Sequence, residues 1–94
     1  MRVLAIEKEL TPKKSPKSVY QKEASEIYRW YKAGKVREIF FAGRSRTAVI
    51  LLEVKDEAEA KRIVRSLPLV RSRAIEFDII ELTPYDGLDR ILER

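Results

Sequence analysis

Ala48-Val49-Ile50-Leu51-Leu52 is apolar at five successive positions, just past a short link, Gly43-Arg44-Ser45-Arg46, that joins it to a second apolar run. A four-residue link between two strand-length segments predicts a hairpin, and hairpin strands are antiparallel. Side chains alternate between the faces of a strand, so neither face of Thr47 to Val54 is clearly polar. Antiparallel sheets commonly leave one face wet. This one calls for cover on both. A chain of 94 residues has helices enough for one face, and a second copy of the chain is the expected cover for the other.

The remaining segments fit around that hairpin. Arg2 to Glu9 reads as a first strand, apolar from Val3 to Ile6. Thr11-Pro12-Lys13-Lys14-Ser15-Pro16 reads as an exposed connector, with Ser15 as helix cap and Pro16 at the first helical position. The helix is expected to run to about Ala33, with Gly34 as its left-handed exit. Its expected apolar stripe is Tyr20, Ala24, Ile27, Tyr28 and Tyr31, with Glu23 and Trp30 at the edge on one side. Lys35 to Ala42 is the strand that pairs with the third. Asp56 and Glu59 have capping-box spacing, and a second helix is expected to bury Ala60, Ile63, Val64 and Leu67 before Pro68 ends it. Ile75 to Leu82 closes the set: Ile75, Phe77 and Ile79 point one way, Glu76, Asp78 and Ile80 the other. After Thr83-Pro84, residues 84–94 read as a short terminal helix that docks through Leu88, Ile91 and Leu92.

The order strand, helix, strand, strand, helix, strand predicts one α+β domain over residues 1–94. Its arrangement is the ferredoxin-like βαββαβ, a four-stranded antiparallel sheet with two helices on one face.

Composition narrows the chemistry. There is no cysteine and no histidine, so disulfides, thiol catalysis and the usual zinc sites are ruled out; a carboxylate-and-water site for a hard cation stays open. General acid–base work falls to Asp, Glu, Lys or Tyr. The net charge of +5 is dispersed, which favours a solvated surface over a nucleic-acid footprint. No apolar run approaches the roughly 18 residues of a membrane span. Met1-Arg2-Val3-Leu4 leads straight into a strand pattern, so a cytoplasmic protein is expected. The chain has no asparagine, a single glutamine (Gln21) and 37% charged residues, a profile that fits a thermophilic source.

Glu76 and Asp78 share a strand face about 7 Å apart by strand geometry. Lining a barrel, they would raise one another's affinity for a proton; on a free surface they would pair with nearby Arg or Lys. The cluster Arg62, Arg65, Arg71 and Arg73 is a weaker candidate, for an anion. RNA-recognition domains share the predicted topology but stack bases on strand aromatics, and the first and third strands have none.

Gly34 to Val54 with Ala42-Gly43 at the hairpin, then Leu67-Pro68-Leu69, then Ile75-Glu76-Phe77, resembles muconolactone isomerase and its relatives within the dimeric α+β barrel group. The resemblance covers residues 23–82. It implies a homodimer closing a barrel between two sheets, or a larger ring of such dimers. It also implies proton transfer between carbons of a small lactone or carboxylate ligand, without metal or organic cofactor. Glu23 matches the proposed acid–base glutamate and Arg37 a carboxylate-binding position, while Glu76 and Asp78 would line the barrel. The chain departs from the pattern at Arg44 and Ser45, where the isomerases carry histidine and tyrosine near the pocket, and at Val70-Arg71-Ser72-Arg73, where they carry proline and aromatic residues. A dimeric small-molecule sensor on the same scaffold is the alternative expectation.

Overall fold

The computed structural model describes residues 1–92. Four strands, β1 (Arg2–Glu9), β2 (Val36–Ala42), β3 (Thr47–Glu53) and β4 (Ile75–Leu82), form one antiparallel sheet in the order β2-β3-β1-β4. Helices α1 (Lys17–Lys32) and α2 (Glu57–Arg65) cross between strands, and a one-turn helix α3 (Pro68–Arg71) precedes β4. This is the ferredoxin-like α+β arrangement.

Register assigns the faces. Val3 pairs with Leu52 and Ala5 with Ile50 on the helix side, whereas Leu4 pairs with Leu51 and Ile6 with Val49 on the open side. The core is the helix side: Val3, Ala5, Ile50 and Leu52 pack beneath Ala60, Ile63 and Val64 of α2, and Ile27 and Trp30 of α1 close over them. Leu52 is fully buried at the sheet centre. Leu52→Ala is expected to cost about 2–5 kcal/mol, read as a lower urea midpoint at unchanged m-value.

Several local expectations are corrected. Helix α1 starts at Lys17 with Pro16 in the cap position and no side-chain cap; the Ser15 N–H instead donates to the Tyr20 hydroxyl at 3.3 Å. The core-facing row of α1 is Val19, Glu23, Ile27 and Trp30, with Glu23 buried and the other three half-buried, while Tyr20, Ala24, Tyr28 and Tyr31 of the expected stripe are exposed. Partners explain the rotation: the Trp30 indole N–H donates to Ser66 Oγ at 3.0 Å, and Glu23 meets the backbone of α3. A buried indole N–H needs such a partner; a tyrosine can keep its hydroxyl in water. Helix α2 ends at Arg65, and Pro68 opens α3. At the α2 start Asp56 accepts from Glu59 N–H at 2.8 Å as expected, but the Glu59 carboxylate reaches back to Lys55 N–H.

A 3-10 helix forms over Gly87–Ile91, yet Leu88, Ile91 and Leu92 stay exposed, Ile91 at 79%. Residues 93–94 of the expected tail lie outside the described residues. Among the described residues no helix is long and apolar enough to cross a membrane.

Candidate functional site

Small side chains open a space in the layer between α1 and the sheet. Ala24 of α1, Ala48 of β3 and Ala74 before β4 edge a cavity of about 530 Å³. Ile27, Ile39, Phe41 and Phe77 supply its apolar walls. Such a volume, with apolar walls and polar and charged groups around them, suits a small polar organic ligand.

Glu23 lies at this cavity and is only 8% exposed. Its position follows from the Leu67-Pro68-Leu69 motif. Pro68 opens α3, and the first amides of a helix have no intrahelical acceptor. Leu67, the cap residue, supplies no side-chain bond. The Leu69 N–H donates instead to Glu23 Oε1 at 2.9 Å, so a carboxylate from α1 caps a helix 46 residues away. Burial pushes the Glu23 carboxyl above the ordinary glutamate range; the Leu69 amide opposes this, and the charges of Glu7 and Glu26 add to the rise.

Glu59 shows the contrast. It is also buried, but it accepts from Lys55 N–H at 3.0 Å, from Lys35 Nζ at 3.1 Å and from Arg62 at 3.3 Å. The Lys55 amide and then Lys35 hold its carboxyl below the usual range. Glu59 is a satisfied structural carboxylate. Glu23 has no ion pair among the described residues.

Glu7 escapes a reading of β1 as an apolar run followed by charges. Alternation puts it on the helix side with Val3 and Ala5, and that period was the signal available in the sequence. It lines the same cavity, half-buried, with Oε1 accepting from Ala48 N–H at 3.1 Å.

Positive charge sits at the rim. Lys13 and Lys14 come from the connector, and Arg46 lies over the Phe41 ring with its guanidinium 4.3 Å from the ring centroid. Arg46 takes a left-handed conformation, φ 55°, unusual for a side chain with a Cβ. The turn before it is held by Ser45 Oγ donating to the Ala42 carbonyl at 2.8 Å. None of these three cations is ion-paired among the described residues.

The other expected site residues stand apart. Arg37 occupies an irregularity of β2, between Val36 and Glu38, and is exposed. Arg44 is exposed in the hairpin turn, whose neighbours Ser45 and Arg46 reach the cavity. Glu76 pairs with Lys8 at 3.8 Å, and Asp78 lies opposite Ile6, both on the open side of β4. The sheet thus separates Glu23 from Glu76 and Asp78, and Arg37 lies on the opposite edge strand from them. Among the described residues no group of three or more Asp or Glu is placed to hold a metal ion. No protein-family model and no curated protein sequence matches this chain.

Proposed function

We propose that this chain is a cofactor-independent acid–base enzyme, an isomerase that moves a proton between carbons of a small unsaturated lactone or enolisable carboxylic acid. The observation that carries the reading is the Glu23 carboxyl: buried beside a cavity with apolar walls, without a cation partner among the described residues, and with its pKa raised by burial. Glu23 takes a proton from a carbon next to the ligand carbonyl. The C–H electron pair passes into an enolate, and the same carboxyl returns the proton to a carbon further along. The apolar walls hold the carbon skeleton, and Lys13, Lys14 and Arg46 balance the ligand's carboxylate and the developing enolate charge.

The active unit is proposed to be a homodimer in the cytoplasm. The open sheet face carries Leu4, Ile6, Phe40, Val49, Leu51 and Ile80 in register, with Phe40 56% and Ile80 45% exposed. Cross-strand ion pairs, Arg2–Glu53 at 3.6 Å and Lys8–Glu76 at 3.8 Å, neutralise opposite ends of that face, and Glu38 opposite Leu51 and Asp78 opposite Ile6 flank its apolar residues. A self-complementary patch of this kind suits a second copy of the chain. In such a pair Asp78 and Glu76 would face the partner.

A second reading also has an observation in its favour. Capping Leu69 gives Glu23 a structural use, and the cavity could then bind a ligand without chemistry, as in a sensor. Incubation in deuterium oxide with small unsaturated lactones and enolisable acids, followed by proton NMR, separates the two. Exchange above the buffer rate is expected. Saturable binding with no exchange would give the sensor reading the field.

A further inference from the structure

Two core-facing rows of the fold are each broken by a carboxyl group, and the two breaks meet at one cavity. On β1 the row is Val3, Ala5, Glu7; on α1 it is Val19, Glu23, Ile27, Trp30. An apolar residue at either place would serve the core, because burying a carboxylate without a cation costs stability. Each group spends one oxygen on a backbone amide, Glu7 on Ala48 and Glu23 on Leu69, and the other oxygen has no protein partner among the described residues.

We propose that Glu7 is a positioning residue for the proton of Glu23: the two carboxyl groups, one anchored on the Ala48 amide and the other on the Leu69 amide, form a dyad across one cavity. Two carboxylates that share a low-dielectric space do not both ionise freely, and the more buried of the two takes the proton. Glu23 is the more buried. The neighbouring charges divide by element. Glu26 on α1 is bound to Arg29, Glu9 and Tyr20 line the outer cavity, and Lys13, Lys14 and Arg46 stand at the rim. Glu7 precedes Glu26 as a source of the rise at Glu23. The use of the dyad in catalysis rests on the acid–base reading above, but the dyad itself is a property of the ligand-free protein. In that reading it makes Glu23 a stronger base for a carbon acid than a solvated glutamate.

The test is a carbon-detected NMR titration of the Glu23 carboxyl in the wild type and in Glu7→Gln, Glu7→Asp and Glu26→Gln. Glutamine at 7 can still accept from the Ala48 amide, so the fold is retained. The Glu23 midpoint is expected to fall in Glu7→Gln, to fall less in Glu26→Gln and to stay raised in Glu7→Asp. The dyad is overturned if Glu7→Gln leaves the midpoint in place or moves it no further than Glu26→Gln does. A fall in Glu7→Asp as large as in Glu7→Gln would also overturn it, since packing rather than charge would then be the cause. A Glu23 midpoint that responds to Glu7 while no lactone or acid exchanges deuterium refutes the isomerase and leaves the dyad standing.

Discussion

Glu23→Gln is expected to slow proton exchange into a turned-over lactone or acid by about 10²–10⁴-fold, the contribution typical of a general acid–base group. The variant is a clean one, because glutamine Oε1 can still accept from the Leu69 N–H and the cap on α3 survives. The same substitution makes a second prediction that needs no substrate. The folded-state pKa of Glu23 lies above that of an unfolded glutamate, about 4.3, so the folded state keeps this proton over a range where the unfolded chain has released it. The resulting stability is complete below the unfolded value and is lost as pH rises through the folded one. Glu23→Gln has no such proton to lose. Urea unfolding at a series of pH values from about 4 to 7 should therefore show the wild type falling relative to the variant as pH rises. Glu26, Glu53 and Glu59 have lowered values, so their stabilisation is present at neutral pH and lost on acidification. Glu53 and Glu59 keep their partners in the variant and largely cancel in the difference; Glu26, which contributes to the rise at Glu23, cancels less completely. A flat difference between the two proteins across this range would show that Glu23 is an ordinary carboxylate, and the assignment of base would go with it.

The strands were legible because period-two patterns need no knowledge of what lies far away in the chain. Ile75 to Leu82 divides its faces as alternation requires, and of the two apolar faces of Ala48 to Leu52 one meets the helices. Helix α1 was harder. Two adjacent rows, Tyr20–Ala24–Ile27–Tyr31 and Val19–Glu23–Ile27–Trp30, each make a passable stripe. What selects the second is a hydroxyl at Ser66 and an amide at Leu69, more than 30 residues further on. The site divides in the same way. Leu67-Pro68-Leu69 was visible as a helix stop, but its role as the amide donor that seats Glu23 depends on how α1 crosses α3. Glu7 was visible by alternation alone. That Glu76 and Asp78 fall away from Glu23 follows from the alternation of β4, which sends Ile75 and Phe77 to the cavity and these two carboxylates to the open face, while Arg37 is exposed at an irregularity of the far edge strand.

A lysine in the centre of the open sheet face is expected to dissociate the protein into monomers. The wild type should sediment at about twice the chain mass of 11.0 kDa at micromolar concentration, and Leu51→Lys at the chain mass. Leu51 pairs with Leu4 on one side and stands opposite Glu38 on the other, so a lysine there gains a cross-strand partner in the monomer and leaves the helix-side core untouched. The cost falls on association. Across a two-fold axis each substitution enters the interface twice. Burying even one imperfectly paired ammonium costs several kcal/mol, so dimerisation should weaken by about 10³-fold or more. Arg65→Gln, an exposed change on the helix side, should leave the sedimenting mass at that of the dimer. A wild type that sediments at the mass of one chain would remove the second copy as the cover for Phe40, Val49, Leu51 and Ile80. It would also remove the reason for placing Glu76 and Asp78 in a barrel, because only a partner sheet can enclose that face. The cavity holding Glu7 and Glu23 would be unaffected, since every wall of it comes from a single chain. Sedimentation therefore tests the assembly, and the Glu23 titration tests the chemistry, each without depending on the other.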